Sequence, residues 1–483
     1  MAACGHRFTV VVTEPGDVFV WGGGHFGQQG LNTREHQLLP ACVGGPEIFG
    51  ARMVIVAAGG FHLAGVTADG KLLTWGRGAE GQLGHGDLED RLRPDQIGRE
   101  LLSGWPVIMV ACGVSHILVL TVGGMWTCGY GQYGLLGHGD ETDKMVLTQV
   151  PAEHFGRSAQ IVMVAAGGMH SLAVGSEGGV WTWGCKLYLG HNIVQDRHVP
   201  TLLAGEVFDG GKAVMVAAGV AHTVVVTSKG VVWAWGSNHT GQLGIAGPEQ
   251  VMIEPARMGA EDRFGGSPVR MVSCGYEHTL IVTEEGVLWL CGAGENGALG
   301  LSDINDRRVP TRVDAQHFGD AKVVSAAGGR FHSAAVTEHG SLYTWGKGQN
   351  SHDASPAGLG HDDTRTKLIP TCVAPHLLQG ARVGRCHRLL LVNALAFAMG
   401  THARLGSAAP TSSPAGGSSR RSRRLEGKAP AADASTGCAH LTMPGELVQR
   451  VVEACASWPE GQAGEIEGLV WLLGGMMNDK VSH

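Results

Sequence analysis

The chain has 483 residues, a hydrophobic fraction of 43% and a formal net charge of −7, from 36 Lys and Arg against 43 Asp and Glu. This acidic balance argues against a broad nucleic-acid-binding surface, because affinity for phosphates requires concentrated Lys and Arg. No apolar run approaches the roughly 20 residues that span a bilayer, and eleven cysteines without a Cys-x-x-Cys pair fit neither a disulfide framework nor a zinc site.

One phrase recurs along most of the chain: a Gly-x-x-His step, then Val-Thr, then Trp-Gly, then Gly-Gln-Leu-Gly. The second copy reads AAGGFHLAGVTADGKLLTWGRGAEGQLGHGD, and its histidine recurs every 52 to 56 residues, with Phe8 in the same frame at the start. Such a period is typical of solenoids, propellers and arrays. The periodic residues are His62, His116, His170, His222, His278, His332 and His387, with Trp21, Trp75, Trp183, Trp235 and Trp345; Cys128 and Cys291 replace tryptophan in two copies.

Each period contains short runs rich in Val, Thr, Ile and Trp, such as MVIVAAG, HLAGVT and KLLTWG, separated by Gly-rich punctuation. This pattern predicts one small antiparallel sheet of four strands per repeat. Since a sheet of this size cannot bury both faces alone, neighbouring sheets must stack, and a closed ring removes the exposed ends. The sequence therefore predicts an all-β fold, a seven-bladed β-propeller over residues 1–406.

The succession of Gly-x-x-His, Trp-Gly and Gly-Gln-Leu-Gly resembles the repeat of the regulator of chromosome condensation family over roughly residues 4–400. The resemblance implies a propeller, and one member of the family performs guanine-nucleotide exchange on a Ran-like GTPase. Plant ultraviolet photoreceptors resemble this fold too, but they carry Trp-Arg inside the Gly-x-x-His step, and none of the steps in this chain contains Trp. Because one fold hosts many activities, we expect a non-catalytic protein-interaction scaffold or regulatory module, with guanine-nucleotide exchange as the alternative.

The periodic residues are interpreted as structural. Ligands of a metal ion must converge on one point, whereas one histidine per blade is spread around a ring, so we expect each to be a buried imidazole that ties a strand to a neighbouring loop. The tryptophans are expected to pack between blades. We therefore expect no metal ion, and no cofactor. We expect no catalytic residue either, because Ser351, His352 and Asp353 are adjacent in sequence and unsuited to triad geometry.

Departures from the repeat are candidates for individual function. The fourth copy is shortened between Trp183 and Gly190, and the seventh is lengthened between Trp345 and Gly360 by a polar segment. Insertions in repeat rings often lie on a binding face. The candidate partner-binding loop is Gln349, Asn350, Ser351, His352 and Asp353, with a tolerated surface loop as the alternative.

The repeat frame continues beyond the seventh copy. RCHRLLLVNALAFAMGTHARLG begins another period at His387, after residues 5–384 have already supplied seven. This surplus hairpin either straps the ring shut beside the N-terminal strands or begins an incomplete eighth blade.

The composition changes after residue 406. Residues 407–437 are rich in Ser, Pro and Ala and predict a disordered linker, in which Arg420, Arg421, Arg423 and Arg424 are a candidate nuclear import signal, an anionic-surface contact or a solubilising patch. Residues 438–483 have helical periodicity and predict a small helical hairpin. Its Met-Pro-x-Glu-Leu opening resembles an F-box, and this resemblance implies, as a further alternative, a substrate-binding subunit linked to ubiquitin ligation. We expect a monomeric cytoplasmic or nuclear protein whose partner is a protein, with a small GTPase or a ubiquitin-pathway component as candidates and no direct nucleic-acid or membrane partner.

Overall fold

Each repeat forms one four-stranded antiparallel sheet, and seven such sheets are arranged as blades around a common axis. They are seen in a computed structural model that describes residues 1–384, except 157–158, 194, 204–205, 260–263 and 350–354. The predicted seven-bladed β-propeller is confirmed. The four strands of each blade are consecutive in the chain and hydrogen-bonded in order from the axis outward.

The strand bounds repeat from blade to blade. They are β1 Ala2–Cys4, β2 Phe8–Val12, β3 Val18–Gly22 and β4 Gln37–Gly44 in blade 1; β5 Met53–Ala58, β6 His62–Thr67, β7 Leu72–Gly76 and β8 Arg91–Gln96 in blade 2; β9 Val107–Cys112, β10 His116–Thr121, β11 Gly124–Gly129 and β12 Lys144–Gln149 in blade 3; β13 Ile161–Ala166, β14 His170–Gly175, β15 Val180–Gly184 and β16 Arg197–Leu202 in blade 4; β17 Ala213–Ala218, β18 His222–Thr227, β19 Val232–Ser237 and β20 Val251–Arg257 in blade 5; β21 Val269–Cys274, β22 His278–Thr283, β23 Leu288–Gly292 and β24 Arg307–Arg312 in blade 6; and β25 Val323–Gly328, β26 His332–Thr337, β27 Leu342–Gly346 and β28 Lys367–Cys372 in blade 7.

Helical structure is confined to short connections within the described residues. The longest helical segments have four residues, including α1 Pro46–Phe49, and none of the described helices is long and apolar enough to cross a membrane. The 3-10 segments are Arg99–Leu102, Gln132–Gly134, Ala152–Phe155, Lys186–Tyr188, Glu295–Gly297, Ala315–Phe318 and Pro375–Leu378. The predicted linker and C-terminal helical segment lie outside the described residues.

The core lies between blades. All six residues of β6 are buried, whereas every residue of the outer strand β8 is partly or fully exposed. A middle strand has neighbouring blades on both of its faces, so its apolar side chains are removed from water on both sides. The innermost strands enclose an axial cavity of about 200 Å³ lined largely by Ala, Val and Met.

The ring closes where blade 7 meets blade 1, and β1 contacts β25. Val383, which follows blade 7 in the chain, pairs with Thr13 of blade 1. The equivalent pair in blade 2 is Met53 and Thr67, and Met53 is the first residue of the innermost strand β5. Val383 therefore takes the first position of an innermost strand, and Met1 to Cys4 supply later positions of that strand. His387 and the rest of the surplus hairpin lie outside the described residues.

Candidate protein-binding surface

The six described periodic histidines each begin the second strand of a blade and are fully buried. In five of them Nε2 is hydrogen-bonded to a Ser or Thr hydroxyl on the second strand of the next blade. The pairs are His116 and Ser171 at 2.9 Å, His170 and Thr223 at 2.6 Å, His222 and Thr279 at 3.0 Å, His278 and Ser333 at 2.9 Å, and His332 and Thr9 at 3.0 Å. The imidazoles thus join blade to blade at five of the seven junctions. Across the described chain, no cluster of three His, Cys, Asp or Glu residues is placed to hold a metal ion.

The expected link to a loop runs through the hydroxyl. Thr9 donates to the carbonyl of Gly358 at 2.7 Å, and the indole of Trp21 donates to the same carbonyl at 2.7 Å. A loop after the third strand of one blade is therefore held by two donors of the next blade. The other four periodic tryptophans make the same contact, Trp75 to Gln28, Trp183 to Leu135, Trp235 to Tyr188 and Trp345 to Ala298.

Two junctions depart from this network. At the junction of blades 1 and 2, Phe8 replaces the histidine and Leu63 replaces the hydroxyl, so the pair is apolar. At the junction of blades 2 and 3, the histidine is kept as His62 but the facing residue is Ile117, and neither ring nitrogen of His62 has a hydrogen-bond partner. His62 is a buried polar group without compensation, which is costly.

The buried imidazoles are held neutral. Desolvation by burial is the main cause that lowers their pKa below the ordinary value of 6.5. The pKa is about 3 for His62, His170, His222 and His278, and about 4 for His116 and His332. A neutral imidazole has one donor and one acceptor nitrogen, which suits a bond to a hydroxyl that itself donates to a carbonyl.

The Gly-x-x-His steps all lie on one face of the propeller, close to the axis. Because consecutive strands are antiparallel, the connections from first to second strand and from third to fourth strand share a face, and the remaining connections share the other. We call the first of these the step face. At the start of each step the backbone of one blade closely approaches the next: a Cβ on Gly113 would lie 2.5 Å from the carbonyl oxygen of Gly167. The steps therefore tolerate little change at their glycine and display their two middle residues.

Those two middle residues differ between the two halves of the step face. In blades 3 to 5 they are small or aliphatic: Val114, Ser115, Gly168, Met169, Val220 and Ala221. In blades 6, 7, 1 and 2 they include aromatic, cationic and acidic side chains: Tyr276, Glu277, Arg330, Phe331, His6, Arg7 and Phe61. One half of the step face is consequently chemically distinct within a symmetric frame.

Aromatic rings from three blades, 6, 1 and 2, meet in this half. His6 stacks on Tyr276 with ring centroids 5.0 Å apart and an interplanar angle of 10°, and it meets Phe61 edge-on at 4.7 Å. Phe61 in turn contacts Phe26 at 5.1 Å. His6 is buried, while Phe26, Phe61 and Tyr276 are partly exposed. The rings form a continuous apolar platform near the axis.

Cations lie over the same rings. The guanidinium of Arg330 is 4.7 Å from the ring centroid of Phe331 and 5.3 Å from that of Tyr276, and the ammonium of Lys347 is 5.0 Å from the Phe331 centroid. Arg77 lies 5.3 Å from the Phe26 centroid. We call this set the Arg330 surface; it consists of His6, Phe26, Phe61, Arg77, Tyr276, Arg330, Phe331 and Lys347.

The charges of the Arg330 surface are only partly balanced. Arg77 is paired with Glu80 at 2.6 Å, whereas Arg330 and Lys347 form no ion pair with a carboxylate of the described residues. Burial, followed by the positive charges of Arg330 and Arg7, lowers the pKa of His6 to about 3. His6 is therefore neutral and accepts a hydrogen bond from the Arg330 guanidinium at Nε2. The surface carries net positive charge although the whole chain is acidic.

Of the binding residues suggested by the sequence, Gln349 is the one that lies among the described residues. Gln349 is exposed and forms an isolated bridge to Pro356, while Asn350, Ser351, His352 and Asp353 lie outside the described residues, as do Arg420, Arg421, Arg423 and Arg424. The Arg330 surface was not predicted. The signal that reveals it is the identity of the two middle residues of each step, which vary inside an otherwise repeated motif.

The shortened fourth repeat keeps its structural contact. Its third-to-fourth-strand loop contains the 3-10 segment Lys186–Tyr188, and the carbonyl of Tyr188 still accepts the Trp235 indole at 2.9 Å. The lengthened seventh loop likewise keeps Gly358 against Trp21. Both departures thus preserve the bonds between blades.

The repeat architecture defines a β-propeller assembled from seven copies of one motif. The RCC1-like domain model matches residues 44–403, and the regulator of chromosome condensation (RCC1) repeat model matches residues 15–66. The chain belongs to the RCC1-like domain family, as its repeated motif indicated.

Similar proteins have varied roles. The ultraviolet-B receptor UVR8 of Arabidopsis thaliana is 32% identical over 367 residues, which cover 74% of this chain and 79% of the receptor. The E3 ubiquitin-protein ligase HERC2 of Mus musculus is 35% identical over 57% of this chain, but the match covers 6% of the ligase. Among solved structures, human WBSCR16 superposes with a TM-score of 0.65 at 24% identity, covering 74% of this chain and 94% of that one. Yeast RCC1 (Prp20) bound to Kap60 gives 0.65 at 22% identity, covering 76% and 85%. These two structural likenesses concern the fold alone.

Proposed function

We propose that the chain is a non-catalytic protein-interaction module that binds its partner through the Arg330 surface. The observation that carries this proposal is the convergence of aromatic and cationic side chains from blades 6, 7, 1 and 2 at the centre of one face. The remaining steps on that face carry small or aliphatic residues. The Arg330 surface is therefore the part of the step face whose chemistry differs from the rest of the ring.

The chemistry of this surface suits protein binding. Arg and Tyr are enriched among the residues that dominate interface energies, and rings that are partly exposed can be covered by a partner at a gain in buried apolar area. Arg330 and Lys347 are positioned by the ring of Phe331 beneath them. Because their side chains are already oriented, less conformational entropy is lost when a partner's carboxylate binds.

The proposal is tested by affinity capture with the full chain from an extract of its own source. Arg330→Glu combined with Phe331→Ala should abolish recovery of the specific partners. Lys229→Glu is the matched control, because Lys229 is an exposed residue in a turn on the opposite face. Melting temperatures of both variants establish that the ring is intact. If the partners recovered are the same for all three chains, the Arg330 surface is not the binding site.

The two alternatives raised by the sequence are tested with the same preparations. Yeast Prp20 has binding properties to Gsp1p and histones, so nucleotide exchange is measured as release of a labelled guanine nucleotide from a purified Ran-type GTPase. A ubiquitin-linked role is measured as recovery of ubiquitin-ligase subunits that depends on residues 438–483.

The cell compartment is a separate proposal. We propose nuclear import through the four arginines of residues 420–424. The test is the distribution of the chain between nucleus and cytoplasm with and without these arginines.

A further inference from the structure

The charge and apolar character of the Arg330 surface point to an occupant within this same chain: we infer that residues 459–473 dock on it. The docking does not depend on the proposed function. Its regulatory consequence does, because an occupied surface has to be vacated before another protein binds there.

The surface requires an occupant that is both acidic and apolar. Arg330 and Lys347 form no ion pair with a described carboxylate, and both lie within about 5 Å of the Phe331 ring. Phe26, Phe61 and Tyr276 are partly exposed beside them. A carboxylate that reached the guanidinium would be placed next to aromatic rings, so acidic residues interleaved with large apolar ones fit better than a purely acidic run.

Residues 459–473 have this composition. The segment, PEGQAGEIEGLVWLL, contains Glu460, Glu465 and Glu467 and no Lys or Arg. Between and after these carboxylates it carries the large apolar residues Ile466, Leu469, Val470, Trp471, Leu472 and Leu473. By contrast, the run at residues 420–424 contains four arginines and would be repelled by Arg330 and Lys347.

The chain is long enough for this contact. Val383 and Gly384 pair with Thr13 and Val12 at the turn side of blade 1, on the face opposite the steps. The two faces are separated by about one strand length, roughly 20 Å. The predicted linker, residues 407–437, has by itself a root-mean-square reach of about 30 Å as a random coil, which exceeds this separation. The effective concentration of the segment at the surface is then in the millimolar range, which favours it over a free peptide of similar chemistry.

Amide hydrogen exchange of the full chain tests the docking. Docking predicts that amides of residues 459–473 exchange slowly in the unaltered protein and about fivefold faster when Arg330→Glu and Lys347→Glu are combined, since two exposed charge contacts are reversed. Lys212→Glu with Lys229→Glu, two exposed residues of blade 5 near the opposite face, should leave the rates unchanged. Adding Glu465→Lys and Glu467→Lys to the reversed surface should restore slow exchange.

A zero-length carbodiimide crosslink gives an independent readout. If docking occurs, an amide bond forms between the Lys347 amine and the carboxylate of Glu465 or Glu467, with loss of water, within a single copy of the chain. Mixing isotopically light and heavy chains distinguishes one copy from two. Lys347→Arg, which keeps the charge and cannot form this crosslink, is the matched control.

Three results would overturn the inference: exchange of residues 459–473 that is indifferent to the Arg330 and Lys347 reversals, failure of the swapped charges to restore slow exchange, or crosslinks found only between light and heavy chains. Partner capture remains separate. If substitutions in the Arg330 surface speed amide exchange of residues 459–473 but leave the captured partners unchanged, the proposed function alone is refuted. If they abolish partner capture but leave the exchange rates unchanged, the docking alone is refuted.

Discussion

His332 and Thr9 are 323 residues apart in the chain, and the imidazole Nε2 of the first lies 3.0 Å from the hydroxyl oxygen of the second. The same hydroxyl donates to the carbonyl of Gly358. Blade 1 and blade 7 are thereby joined by the bond that joins neighbouring blades elsewhere in the ring. Closure is thus achieved, in part, by repeating an ordinary junction between the first and last blades.

Replacing Thr9 with the isosteric Val should weaken this closure. The variant keeps the shape of the side chain but leaves His332 without its partner, and the loss of one member of a buried hydrogen bond costs about 1–3 kcal/mol. Thr9→Ser, which retains the hydroxyl, should be closer to the unaltered protein. Chemical unfolding measures the free energy of each; equal stability of the Val and Ser variants would show that the bond does not contribute.

The unpaired His62 offers the reverse test. At the equivalent place in other blades a hydroxyl faces the imidazole and donates to a loop carbonyl. Here the corresponding carbonyl is that of Gln82 in blade 2, which accepts from the Cys128 thiol of blade 3. Ile117→Thr should supply the missing hydroxyl. Ile117→Val removes a similar volume without adding a polar group. We expect the Thr variant to be more stable than the Val variant by about 1 kcal/mol in its free energy of unfolding. The opposite order would mean that the new hydroxyl stays unsatisfied.

Gly113 is limited by contact with the next blade rather than by its backbone angles. A Cβ there would lie 2.5 Å from the Gly167 carbonyl oxygen and 2.3 Å from the His116 ring. Gly113→Ala should therefore displace blade 3 from blade 4 and destabilise the ring by about 1–3 kcal/mol or more. Gly23 is the matched control, because a Cβ there meets its nearest neighbour at 3.6 Å. Thermal unfolding should show a fall in melting temperature for the first variant that clearly exceeds any change in the second.

The sequence predicts the fold well because each repeat states the same local rules. Short Val- and Thr-rich runs between glycines predict strands. The spacing of 52 to 56 residues between successive histidines from His62 to His332 predicts blades of similar size. It could not identify which strand supplies the partner of each imidazole, because that partner is one full repeat away. The hydroxyl of Thr9 can be assigned as the partner of His332 only when blade 7 is known to lie beside blade 1.

The candidate site was harder to predict for the same reason. Tyr276 and His6 come from blades 6 and 1, which are separated by 270 positions and by an intervening blade, yet their rings stack at 5.0 Å because every step approaches the axis. Insertions such as the one between Trp345 and Gly360 are conspicuous in a sequence, whereas a change of two residues inside a repeated motif is not. Convergence at an axis of symmetry is a property of the ring and cannot be read from one repeat.

Buried histidines should make the propeller sensitive to acid. The pKa of His222 is lowered to about 3 by burial, while in the unfolded chain an imidazole has its ordinary value of about 6.5. Between these two values the unfolded state binds a proton that the folded state does not, so stability falls as the pH falls. The stability is therefore highest above about pH 6.5 and falls progressively toward about pH 3, the pKa of His222 in the folded state. Each such histidine contributes a slope of up to about 1.4 kcal/mol per pH unit, and the free energy of unfolding measured at several pH values should show this decline.

A single substitution separates this effect from general acid denaturation. His222→Gln removes one titrating imidazole from the junction of blades 5 and 6, where Nε2 is bonded to Thr279. The variant should be less stable at pH 7, because its neighbours lose a fitted partner, but the decline between pH 6.5 and 4 should be shallower by about one proton. His239→Gln, at an exposed position in a loop of blade 5, is the composition-matched control. Parallel pH profiles for the unaltered protein and His222→Gln would show that His222 titrates alike in the folded and unfolded chain, contrary to its burial between blades.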